Sequence, residues 1–79
     1  MEIRYDAEVK ALYIRLAAGD VARTAEVEEF VYLDIDREGR PLGLEFVDAD
    51  DFFPFLERHG GKVCLPTRIA DDAPLSLAS

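Results

Sequence analysis

Apolar and polar residues alternate with a period of two through most of the chain up to Val47, and the spacing lengthens only beyond Asp48. A period of two places successive side chains on opposite faces of a strand, so these runs predict half-buried β-strands. Ile3 and Tyr5 alternate with Glu2, Arg4 and Asp6 and define the first. After the polar turn Ala7 to Lys10, Leu12, Ile14 and Leu16 share one face of a second strand, with Tyr13 and Arg15 on the other, until Ala18, Gly19 and Asp20 break the run. Thr24 to Val27 predicts a weaker strand, and the consecutive Glu28 and Glu29 predict a bulge or bend before the segment Phe30 to Asp36. There Val31, Leu33 and Ile35 share a face, opposite Phe30 and Tyr32. Arg37 to Arg40 carries turn chemistry, with Gly39 the residue best suited to positive φ, and Pro41 to Val47 resumes the alternation through Leu42, Leu44 and Phe46.

The period then changes. Phe52 to His59, preceded by Asp48, Asp50 and Asp51 and stopped by Gly60 and Gly61, predicts a short helix. Asp50 or Asp51 is expected to cap it, Pro54 to lie in its first turn, and Gly60 to take the left-handed conformation that ends it. Phe52, Phe55 and Leu56 fall on one side and are expected to close over the sheet, while Phe53 points elsewhere. Lys62 to Pro66 predicts a last strand through Val63 and Leu65, and Ala70 to Ser79 a flexible tail. The expected fold is α+β: a single domain over residues 1–69, a small antiparallel β-meander of four to five strands with one short C-terminal helix packed on one face.

Composition changes this picture in two ways. A chain of 79 residues buries only about 60 to 65% of its unfolded surface. Cys64 has no partner for an internal disulfide, and no Cys/His pattern offers a metal staple. Self-association into a dimer or larger homo-oligomer is therefore expected. The net charge of −8 disfavours direct nucleic-acid binding and anionic lipid, and suits solubility or a basic protein partner. The N-terminus runs directly into a strand without the apolar segment of a signal peptide or membrane span, so cytoplasmic localisation is the expectation.

The segments YDAEVKALYIRL and EFVYLDIDREGRPLGLEFVDA resemble the bacterial domain of unknown function 2283 family over roughly Met1 to Ala49. The Tyr5-Asp6 step, the LYIRL strand, the acidic DIDREGR turn and the G-x-E-x-x-D-A step from Gly43 to Ala49 carry the likeness, in that order along the chain. Lys10 departs from the pattern, since an acidic residue is common there. The resemblance implies a β-meander plus helix and brings no catalytic residues. It also suggests, through relatives encoded beside small toxin-like proteins, an antitoxin-like role.

Among chemical motifs, Asp34, Asp36 and Glu38, with Gly39 and Glu45, follow the spacing of a calcium loop. Such a loop joins two helices, whereas alternation on both sides here specifies strands, so a hairpin with a solvated acidic face outweighs a cation site at Asp34, Asp36, Glu38 and Glu45. On that reading Asp34 and Asp36 share an outward face. Asp48, Asp50 and Asp51 read as capping groups before they read, with Asp34 and Asp36, as a magnesium site. His59 and Cys64 lack the electropositive setting that a thiolate nucleophile needs. No cofactor and no enzymatic activity are expected.

One short helix covers one sheet face, so Tyr13, Phe30 and Tyr32 on the other face, and Phe53 on the helix, are the candidate interface residues. The sequence thus points to a non-enzymatic, self-associating protein-interaction module. A small-ligand or divalent-cation-binding domain built on the acidic hairpin is the alternative.

Overall fold

In the computed structural model the described residues are 1–65 and 69. Five strands form one antiparallel sheet: β1 (Glu2–Asp6), β2 (Ala11–Arg15), β3 (Arg23–Glu28), β4 (Val31–Ile35) and β5 (Pro41–Phe46), in the order β1-β2-β5-β4-β3. A hairpin, β1 and β2, thus joins a three-strand meander, β3 to β5, through pairing of β2 with β5. A 3-10 turn (Ala49–Asp51) leads into α1 (Phe52–Arg58). This is the α+β architecture that the alternation predicts, and Ala70 to Ser79 lies outside the described residues.

Register explains the core. Ile14, Leu44 and Leu33 stand opposite one another across β2, β5 and β4, as do Leu12, Phe46 and Val31. Directly opposed residues share a face, so these rows build one apolar surface, with Val31, Leu33 and Phe46 fully buried. Helix α1 closes over it with the trio expected from the helical spacing. Phe55 is buried and Phe52 half-buried, each meeting Phe46 edge-on at centroid distances of 5.1 and 5.4 Å, and Leu56 is half-buried beside them. Ile69 joins the cluster and donates its amide to the Gly39 carbonyl at 2.6 Å.

Pro54 is the third residue of α1, in the first turn where its fixed φ is tolerated. The helix ends at Gly60 and Gly61, both left-handed, and Gly61 donates back to the Leu56 carbonyl at 2.7 Å. The cap is Asp48 rather than Asp50 or Asp51: its carboxylate accepts the Asp50 amide at 2.9 Å because the 3-10 turn starts the element earlier.

Three local expectations need correction. Phe30 is not in β4 but in the tight β3–β4 turn with φ 66°, and its carbonyl accepts from Val47. Leu42 does not share the face of Leu44 and Phe46. Ile35 pairs with Pro41 and Asp34 with Gly43, so Leu42 is the extra residue of a bulge. It is buried outside the core cluster, under Gly19 of the β2–β3 connection and in a cleft with Tyr13 and Arg15. Lys62 to Leu65 adds no sixth strand: Cys64 makes a single bridge while Val63 and Leu65 pack against the core, and Pro66 lies outside the described residues.

Candidate functional site

The sheet face away from α1 is organised by hydrogen bonds rather than left as loose aromatics. Tyr13 on β2 leans diagonally across Gly43 on β5, and its hydroxyl donates to Asp34 Oδ2 on β4 at 3.0 Å. Thr24 Oγ1 on β3 donates to the other oxygen at 2.6 Å, so one carboxylate ties together side chains from three strands. Burial first, then the bond to Asp34 and its negative charge, push the Tyr13 phenol above its ordinary range. Tyr32 is half-buried on the same face, with Glu45 between the two tyrosines.

The acidic hairpin does not gather its carboxylates. Asp34 and Asp36 do not share a face, because β4 ends at Ile35 and Asp36 folds into the turn. There Asp36 is buried. Its Oδ1 accepts the amides of Glu38 at 2.9 Å and Arg40 at 2.8 Å, and its Oδ2 accepts Arg40 Nε at 2.9 Å. The Arg40 amide contributes most to holding the Asp36 carboxyl below its ordinary range, against its burial, and the Arg40 side chain and charge add to it. The Glu38 carboxylate meets Arg40, at 3.4 Å, and Glu45 is exposed on β5. Among the described residues no group of three or more His, Cys, Asp or Glu side chains is placed to hold a metal ion.

His59 is engaged elsewhere than with Cys64. The bulge between Glu26 and Glu28 sets Glu28 opposite Val31, on the helix side of the sheet. Its carboxylate meets Arg58 at 2.9 Å and His59 Nε2 at 2.5 Å. Burial pushes the Glu28 carboxyl up, but the bonds from His59 and Arg58 and the arginine's charge outweigh it, and the group lies below its ordinary range. Cys64 is exposed. Lys10 joins Asp50 at 2.7 Å and accepts the Ala49 amide at its carbonyl, which pins the β1–β2 turn to the start of the helical segment.

The feature with the shape of an interaction surface lies on the helix side. Helix α1 rests over β5, β4 and β3, leaving β1 beyond its cover. Ile3 stands opposite Ile14 and Tyr5 opposite Leu12, hence on the apolar face, yet they are 61% and 56% exposed. A groove of about 200 Å³ continues this surface, lined by Ile14, Leu16, Leu44, Phe52, Leu56 and Leu65. Phe53, 70% exposed, extends it over the helix, its ring 5.3 Å from that of Phe52. Of the four interface candidates, Phe30 and Phe53 are exposed and Tyr13 and Tyr32 half-buried. Ile3 and Tyr5 escape sequence reading because alternation assigns them to a core that the short helix is too narrow to close.

A family model described as protein of unknown function (DUF2283) matches residues 2–49. The chain belongs to this family. The DUF2283 match covers all five strands and stops at the first residue of the 3-10 turn, so the polar face, the acidic hairpin and β1 lie within the matched segment, whereas α1, with Arg58 and His59, lies beyond it. No curated protein and no solved structure matches the chain. Among the described residues no helix is long and apolar enough to cross a membrane.

Proposed function

We propose that this DUF2283 protein is a non-enzymatic protein-interaction module that self-associates through the helix-side surface left open by α1. The observation that carries this is the exposure of Ile3 and Tyr5 on the face whose other residues build the core. Fully burying one such side chain contributes about 2 kcal/mol, and a symmetric assembly gains it twice. The polar groups that would serve chemistry are instead engaged within the fold: Asp36 by its own turn, Asp34 by Tyr13 and Thr24, and His59 by Glu28. The acidic exterior, including Glu26 and Glu45 on the opposite face, is the surface for a basic protein partner.

Light scattering on the full chain tests the reading. A dimer or larger species is expected, and Phe53→Glu or Tyr5→Glu weakens assembly while the far-ultraviolet circular dichroism stays that of the folded chain. A strict monomer that retains no basic protein from its native cell overturns it.

A further inference from the structure

We propose that two copies of the chain join antiparallel through β1, about a two-fold axis at Ile3, so that Glu2 of each copy faces the partner's Arg4. This rests on the self-association reading and adds to it the edge used and its register.

Among the described residues the sheet has two edges, β1 and β3. Strand β3 carries the bulge between Glu26 and Glu28, and bulged edges resist further pairing. Strand β1 is regular: Glu2 to Asp6 pair with β2 without a register shift and include neither Pro nor Gly. No other described strand pairs with its outer N–H and C=O groups, which form a ladder of the kind that a second strand extends.

Charge selects the register. In an antiparallel pair, directly opposed residues share a face, so a two-fold axis between identical strands must pass through a residue. An axis at Arg4 sets Arg4 against its own copy and Glu2 against the partner's Asp6, which opposes like charges throughout. An axis at Tyr5 sets Arg4 against the partner's Asp6 but brings Glu2 against the partner's Glu8, like charges, and Ile3 against the partner's Ala7. An axis at Ile3 opposes no like charges and leaves only Asp6 of β1 without an opposed residue. Glu2 meets the partner's Arg4 twice over, Ile3 meets the partner's Ile3, and Tyr5 meets the partner's Met1, all apolar residues exposed in the single chain. Because the axis stands perpendicular to the sheet, both helices lie on the same side of one continuous sheet. The two bare half-faces then merge into a single apolar trough between them.

Sedimentation of the full chain, with circular dichroism to confirm folding, tests the register by charge exchange. Arg4→Glu raises the dimer dissociation constant about tenfold or more by opposing carboxylates at both symmetric positions. Combining it with Glu2→Arg restores the wild-type value, since the pair is rebuilt with its signs exchanged. Ile3→Cys in a Cys64→Ser background gives a disulfide-linked dimer on oxidation, and Thr24→Cys on the opposite edge does not. A dimer that ignores Arg4→Glu, or is not rescued by the exchange, overturns the β1 register while leaving self-association standing. A wild-type chain that is monomeric at about 100 μM overturns both.

Discussion

The Tyr13 hydroxyl reaches Asp34 only because Gly43 lies beneath its ring. A β-carbon at position 43 would sit 2.1 Å from Tyr13 Oη and 2.4 Å from its Cζ, and 3.1 Å from the Ile14 carbonyl oxygen. Gly43→Ala is therefore expected to swing the ring away, break the bond to Asp34 and destabilise the fold by about 2 kcal/mol. The same substitution made on Tyr13→Ala costs much less, because the obstructing ring is gone, and a double-mutant cycle in urea reads the difference. Equal costs in the two backgrounds would show that the glycine serves some other purpose.

The raised Tyr13 phenol gives a second readout of this contact. A phenol whose folded value lies above its unfolded one stabilises the fold fully below the unfolded value, and that contribution is lost as pH rises through the folded value. Ultraviolet titration should therefore show a late-ionising tyrosine absent from Tyr13→Phe. Asp34→Asn, which removes the charge, should bring that ionisation earlier.

Glu28 works in the opposite direction. Its carboxyl lies below the ordinary range in the folded chain, so its contribution is present above the unfolded value and lost as pH falls through the folded one. Glu28→Gln should lower stability at neutral pH by about 1 kcal/mol, after discounting for partial exposure, and the gap to wild type should close in acid. Urea midpoints at neutral pH and in the acid limb provide the test. A gap that persists where the carboxylate is protonated would mean that packing rather than charge holds α1 to β3.

Strands and helix were legible because local alternation and tertiary register agree for most positions: Leu33, Leu44 and Ile14 are apolar in sequence and opposed in space. Leu42 was misread because its bulge exists only in the pairing of β5 with β4, which a one-strand pattern does not contain. Phe30 was misread because positive φ is ordinarily announced by glycine, and here a large aromatic takes it. The polar site was half legible. Asp34, Asp36 and Glu45 could be named, but whether they converge depends on backbone amides and on Tyr13, distant in sequence from Asp34. The spacing that suggested a cation loop describes a self-capped turn.

That left-handed aromatic yields a stability prediction of its own. Phe30 is half exposed, so its side chain contributes little burial, while a non-glycine residue in this backbone region costs about 1 kcal/mol. Phe30→Gly is expected to raise the thermal midpoint, since the carbonyl that accepts from Val47 is retained.

The occupancy of Asp36 makes the last prediction, which concerns cations. Its oxygens already accept two amides and a guanidinium N–H, so a calcium ion would have to displace three donors to gain one ligand. Asp34 is likewise engaged by Tyr13 and Thr24, and Glu45 stands exposed on β5 away from the turn. Calcium or magnesium at about millimolar levels should leave the thermal midpoint where an equal ionic strength of sodium chloride leaves it. Asp36→Ala, which opens the turn by orphaning the amides of Glu38 and Arg40, should lower that midpoint equally with and without divalent cations. A calcium-dependent rise in wild type that vanishes in Asp36→Ala would show that the turn rearranges to bind the ion, and would return the acidic hairpin to the role its spacing suggests.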